Sequence, residues 1–360
     1  GAGSDVLYGG DGKDVIVGTQ DGVSDVYYGG NASGTDTGTM DRIDYTAVAS
    51  NITLTSGTNV SNSAVGADIL NGIEIFDSGS GADTLSGGSA SITIYGNLGS
   101  DKITGGTGND LLYGDTIGNI HADSQNILAG GAGNDTLYAG SAGDTLRGDA
   151  GNDTMFGGAG IDTLDYVTNN IAITALLNAG VINGDGSDII DTTTIEILKS
   201  GSGADSITGA DTGVLSTIYT GAGNDTINGG ALAERLYGEA GNDTLRGGGG
   251  ADTIFGGSDN DLIYGAIDGD KVYGDNGSGN IAGSSDTLDF SDLSSALVID
   301  MVAGTVNTTA STFSEIENIT GGSGNDTIYG DANANILKGG SGDDTIFTSQ
   351  GVDTIDGGID

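Results

Sequence analysis

One nine-residue unit constrains this chain more than any other feature. Gly105-Gly106-Thr107-Gly108-Asn109-Asp110-Leu111-Leu112-Tyr113 recurs, with drift, at 130–138, 321–329 and 339–347. Its rule is glycine at the first, second and fourth positions, aspartate at the sixth and an aliphatic residue at the eighth. A fixed short period of this kind marks a stacked repeat architecture, in which each unit buries its apolar side against its neighbours. Helix is disfavoured, because each interior glycine costs a helix about 1 kcal/mol and no helical periodicity is present.

The sixth-position aspartates fall in four runs. The first holds Asp5 and Asp14, and the second Asp83, Asp101, Asp110, Asp135, Asp144, Asp153 and Asp162. Asp205, Asp225, Asp243, Asp252 and Asp261 form the third, and Asp326 and Asp344 the fourth. They mark repeat segments at 1–30, 79–164, 201–273 and 321–360, with β-rich inserts at 31–78, 165–200 and 274–320. The inserts resemble one another. Each opens on an apolar–acidic–aromatic step (Ile43-Asp44-Tyr45, Leu164-Asp165-Tyr166, Leu288-Asp289-Phe290) and continues into an alternating strand. Each closes on Ile-Glu (Ile73-Glu74, Ile195-Glu196, Ile316-Glu317). The chain starts part-way into one repeat and stops where another would begin, which is expected of a segment of something longer.

The residue two beyond each aspartate is apolar, as at Leu7, Leu112, Leu137 and Ile254. This is the inward side chain of a short strand whose neighbours face out. Nine residues thus make one turn plus one strand, and eighteen make a coil in which two parallel sheets sandwich a thin aliphatic core. The ninth position is aromatic at intervals of eighteen: Tyr219, Tyr237, Phe255 and Tyr273; Tyr95 and Tyr113; Tyr138 and Phe156; Tyr329 and Phe347. One coil apart, these rings are expected to stack as outward ladders, stabilising the sheet or forming a contact face.

Charge bears on what the turns hold. The 360 residues carry 51 acids against nine bases, a formal net charge of −42, so nucleic acid and anionic membrane are poor partners and self-repulsion opposes compaction. With one histidine and no cysteine, the chain lacks the usual ligands of zinc or copper. Aspartate carboxylates beside glycine turns that expose main-chain carbonyls suit calcium, which takes six to eight oxygens in flexible geometry; magnesium tends to keep its waters. About 15 ions would bring about +30 and offset most of the charge. Some turns lose the aspartate: Ile92 and Glu234 occupy the sixth position in turns expected to be metal-poor, and Asn335 is a weak candidate.

On these residues the chain resembles the repeats-in-toxin (RTX) family, whose tandem glycine- and aspartate-rich nonapeptides form a calcium-loaded β-roll. The resemblance covers roughly two-thirds of the chain and leaves the inserts outside. It implies an all-β, right-handed parallel β-roll or β-solenoid with essentially no helix, many Ca2+ ions, and the sixteen aspartates named above as metal ligands. Catalytic residues are not apparent. His121 stands in a polar stretch and reads as a solvated loop residue, and the acids are absorbed by the repeat, so an enzyme is not expected. No run approaches the roughly 18 apolar residues of a membrane span. Two functions remain open. One is an exported bacterial surface-layer or fibre protein that folds on calcium and self-associates. The other is the repeat or secretion module of a larger exported adhesin, toxin or extracellular enzyme. Both place the chain outside the cell, where calcium reaches the ~10⁻⁴–10⁻³ M that extracellular modules require.

Overall fold

The computed structural model describes residues 2–18, 20–31, 40–62, 65–115, 124–168, 170–265, 267–279, 284–307 and 311–359. Among them the fold is all-β, with short strands and a single 3-10 turn at Leu177–Ala179. Two compact units are present: one comprises Gly1–Asp165 with Asp185–Glu196, the other Tyr166–Gly184 with Ile197–Asp360.

In each unit, successive strands alternate between two sheets and pair in parallel with the strand one coil away. In the first unit Ile94 lies beside Leu112, Leu112 beside Leu137 and Leu137 beside Met155 along one sheet. Ile103, Leu128 and Leu146 do the same on the other. In the second unit the rows are Ile218–Leu236–Ile254–Val272 and Ile227–Leu245–Ile263–Leu288. All of these side chains are buried. Because strand side chains alternate, the residues flanking each of them face outward, and the apolar core is one side chain deep on each sheet. This is the β-roll expected from the nonapeptide.

The inserts thread into the same sheets. In the first unit Arg42–Asp44 pairs in parallel with both Val15–Val17 and Ile75–Asp77. Thr53–Thr55, Asn59–Asn62 and Gly66–Asn71 then form an antiparallel meander whose outer strands join Thr84–Ser86 and Val26–Tyr28 in parallel. In the second unit Val298–Asp300, Thr305–Val306 and Thr312–Ser314 repeat the device between Thr327–Tyr329 and Lys271–Tyr273. Thr174–Leu176 and Val181–Asn183 also pair antiparallel, with Thr174–Leu176 in parallel beside Ser206–Thr208. The aromatics that open the inserts, Tyr45, Tyr166 and Phe290, are buried. Tyr45 packs against Phe76 with ring centres 5.7 Å apart.

The ninth-position aromatics stack as ladders. Tyr95, Tyr113, Tyr138 and Phe156 follow one another at 4.7, 5.0 and 4.7 Å between ring centres in the first unit. Tyr219, Tyr237, Phe255 and Tyr273 do so at 4.5, 4.8 and 4.8 Å in the second. Sequence spacing alone separates Tyr113 from Tyr138, whereas strand pairing joins them. A cation covers the first ring of each ladder: the Arg42 guanidinium lies 5.7 Å from the centre of Tyr95, and the Lys199 ammonium 5.8 Å from that of Tyr219.

Candidate metal sites

Each turn of the roll is set by its glycines. At Gly105, the first position of its unit, a Cβ would overlap the Asp110 carboxylate of the same turn and the Gly130 carbonyl of the next coil. Gly106 has φ of +124°, a conformation strained for any other residue, and a Cβ there would overlap the carbonyl of Gly88. Glycine here leaves room for a carboxylate and for stacked carbonyl oxygens.

The sixth-position carboxylates lie inside these turns and are bonded in a ladder. The Asp83 N–H donates to Asp101 Oδ1 at 2.8 Å, the Asp110 N–H to Asp135 Oδ1 at 2.7 Å, and the Asp135 N–H to Asp153 Oδ1 at 2.8 Å. The Asp144 N–H donates to Asp162 Oδ1 at 2.7 Å on the flank that holds Asp83 and Asp101, and Asp110, Asp135 and Asp153 line the other. In the second unit the N–H groups of Asp205, Asp225 and Asp243 donate to Oδ1 of Asp225, Asp243 and Asp261. The Asp326 N–H donates to Asp344 Oδ1. Each aspartate thus spends one oxygen on the backbone of the preceding coil.

The second oxygen is different. Oδ2 is buried and accepts no hydrogen bond in Asp14, Asp83, Asp101, Asp110, Asp135, Asp144, Asp153, Asp162, Asp205, Asp225, Asp243, Asp252, Asp261 and Asp344. Of the sixteen predicted aspartates, Asp326 departs because its Oδ2 accepts the Gly322 N–H at 2.7 Å, and Asp5 because it lies in the open first coil beside the exposed strand Val6–Tyr8. Burial pushes the carboxyls of Asp101 and Asp261 up to about 8, and those of Asp144, Asp153 and Asp243 up to about 7. A rank of buried carboxylate oxygens that accept no hydrogen bond is costly unless a cation meets it. Among the described residues no three acidic or histidine side chains converge, so a cation here needs main-chain carbonyls to complete its shell. That requirement fits a hard, oxygen-seeking ion and excludes an all-side-chain cage.

The exceptional turns behave according to their side chains. Ile92 places a methyl group beneath Gly87 where a carboxylate lies elsewhere, and its N–H still donates to Asp110 Oδ1 at 2.9 Å. Glu234 keeps a buried carboxylate without a hydrogen bond to Oε2, and its N–H donates to Asp252 Oδ1 at 2.8 Å. Asn335 turns its amide oxygen to the Asp331 N–H at 3.1 Å and its amide nitrogen to Glu317 and Asp331. His121 lies outside the described residues.

The ladder also contains aspartates outside the sixteen predicted. Asp25, Asp68 and Asp188 accept the N–H groups of Asp5, Asp25 and Asp153, and Asp270 and Asp286 those of Asp252 and Asp261. The signal for them was aspartate followed two residues later by Tyr27, Leu70, Ile190, Val272 or Leu288; Asp188 keeps the glycines Gly184 and Gly186 but falls inside an insert, and the other four lack the paired glycines. At two of these positions a tyrosine supplies what a cation would: Tyr45 Oη donates to Asp68 Oδ2 at 2.7 Å and Tyr27 Oη to Asp25 Oδ2 at 2.9 Å. A second ladder runs the opposite way through the fifth position. The N–H groups of Asn134 and Asn152 donate to the side-chain oxygens of Asn109 and Asn134, and Asn242 and Asn260 to those of Asn224 and Asn242.

Comparison with curated proteins gives no match. The family model of the RTX calcium-binding nonapeptide repeat matches residues 1–22, 68–91, 93–116, 126–164, 216–232, 229–263, 246–281, 312–345 and 329–360, together more than half of the chain. The matched segments hold most of the glycine turns, aspartate ladder and inward aliphatic row described above; Asp188, Asp205 and Asp286 lie outside them. This chain belongs to the family of RTX calcium-binding nonapeptide repeat proteins.

Proposed function

We propose that the buried aspartate oxygens are the calcium ligands of this chain and that folding is coupled to their occupancy. The observation that carries this is the rank of buried Oδ2 atoms that accept no hydrogen bond, most of them beneath the first glycine of the unit, as at Gly105, Gly130 and Gly238. The protein supplies one carboxylate oxygen per turn, held in place by the backbone bond to its other oxygen, and a glycine backbone that leaves carbonyls accessible. Calcium supplies the positive charge that such a site needs. A core one side chain deep does little to offset a backbone entropy cost of ~1–2 kcal/mol per residue, so metal binding becomes part of the folding free energy. Circular dichroism in excess chelator and then in millimolar calcium tests this: a disordered spectrum converts to β-sheet. An unchanged β spectrum in chelator would refute the coupling.

We infer further that the chain serves as calcium-dependent structural material outside a bacterial cell, in a surface layer or fibre. Repetition of one coil, outward aromatic ladders and strong acidity support a building role, and a millimolar calcium requirement suits an exported protein. Electron microscopy with calcium separates this from a monomeric module of a larger exported protein. Lattices or filaments support the structural reading; monodisperse particles at high concentration support the module.

A further inference from the structure

The glutamates that close the inserts occupy the aspartate position of the repeat. Glu74, Glu196 and Glu317 stand two residues before Phe76, Leu198 and Ile319, as Asp110 stands two before Leu112. Each continues the ladder with a carboxylate one methylene longer. Glu196 Oε2 accepts the Asp162 N–H at 2.7 Å, Glu317 Oε2 the Asp286 N–H at 2.8 Å, and Glu74 Oε2 the Asp41 N–H at 2.9 Å. Asp162 and Asp286, the aspartates they meet, are 0 % exposed, and their Oδ2 atoms accept no hydrogen bond.

Hydrogen bonding alone does not account for a carboxylate here. Elsewhere in the ladder a neutral amide performs the same task, since Asn126 Oδ1 accepts the Asp101 N–H at 2.9 Å. A glutamate in all three inserts brings a negative charge to a place where an amide would serve the backbone equally well. That charge lies beside a buried aspartate whose Oδ2 accepts no hydrogen bond, so the pair requires a cation more strongly than a single repeat turn does.

We propose that Glu196 and Glu317, and by the same bonding pattern Glu74, are calcium ligands that close the last metal site before each insert returns to the roll. This rests on the reading of the repeat aspartates as calcium ligands. The inserts would then be fastened to the repeats by metal as well as by strand pairing.

The test uses the full chain with E196Q, E317Q and the double variant, alongside D110N in an ordinary repeat. Calcium content is measured by equilibrium dialysis and affinity by calorimetry, with circular dichroism as the fold control. Glutamine preserves the hydrogen-bond acceptor and removes the charge. Each glutamine variant is expected to lose about one ion per chain, or to weaken one site by about tenfold or more, because ligand charge tunes calcium affinity over decades. The calcium-saturated β spectrum should be retained. Glutamine variants with wild-type stoichiometry and affinity, while D110N loses an ion, would overturn the glutamate assignment alone. If D110N also binds as wild type, the underlying reading of the aspartates fails. Should a glutamine variant fail to fold, E196D and E317D, which keep the charge, decide: restored binding supports ligation, and folding without the ion refutes it.

Discussion

At the scale of single residues, the turn is defined by what cannot be added to it. Gly105 faces the Asp110 carboxylate and the Gly130 carbonyl, whereas a Cβ on Gly357 would meet nothing within 4 Å. Gly105→Ala should therefore destabilise the calcium-bound protein by about 1–3 kcal/mol, the usual cost of overpacking. Gly357→Ala should stay within about 0.5 kcal/mol of the parent, as exposed sites do. Chemical denaturation in calcium measures both, and equal effects would show that close approach is not what selects the glycine. Residue roles were readable where glycine, aspartate and aliphatic coincide, as in 105–113. They were not readable at Asp68 or Asp286, whose turns reach the same ladder without the glycine pattern. Nor was the Asn109–Asn134–Asn152 ladder visible, because its bonds link residues 25 and 18 apart and need the coil to be built first.

At the scale of elements, three-residue strands survive because their neighbours above and below share the load. Tyr237 stacks on Tyr219 at 4.5 Å and on Phe255 at 4.8 Å, with nearly parallel rings on both sides. Tyr237→Ala removes two such contacts. With each aromatic pair worth about 0.5–1.5 kcal/mol, the variant should lose about 1–3 kcal/mol. Tyr329, which stacks on Phe347 in a two-ring ladder, should lose about half as much on the same change. Parallel thermal melts in calcium check the ratio; equal losses would mean that ring stacking is not the source. The strand period and its inward row were evident in the sequence because alternation is local. The meanders of the inserts were evident only in part. Their first strands alternate visibly, but the choice between a separate lobe and sheet membership depends on pairings such as Leu54 with Leu85, which are made across other strands.

At the scale of the whole molecule, one term sums over many sites. Burial raises the carboxyls of Asp101, Asp144, Asp153, Asp243, Asp261 and Asp286 to about 7 or 8 from an ordinary value of 3.8. The metal-free fold binds protons more tightly than the unfolded chain at each of these groups. Its stability is therefore greatest at or below about pH 4 and falls as pH rises through 7–8. Calcium reverses the slope, because it competes with protons for the same oxygens and its affinity rises with pH. In chelator, β-sheet content by circular dichroism should be greater at pH 5 than at pH 8, where the chain is disordered, and the gain from added calcium should be larger at pH 8. A chelated protein with equal β-sheet content at both pH values would contradict the burial of charge. Fold class and ion class were thus readable from composition and period together. The number and exact membership of the sites were not, since they depend on which oxygens the ladder leaves over.

The pairing of Tyr113 with Tyr138, and of Ile263 with Leu288, joins residues 25 apart in a roll whose usual interval is 18. Register is therefore kept by the sixth-position side chain and its inward partner, whatever the length of chain between them. Natural variation can lengthen a corner without disturbing the coils on either side, provided that the returning segment begins with an acceptor and an aliphatic residue two places on. The same tolerance makes the sequence intervals 116–123 and 280–283, where the spacing exceeds 18, the positions at which to graft sequence. A peptide inserted there would be displayed at a fixed coil of a scaffold assembled by adding calcium.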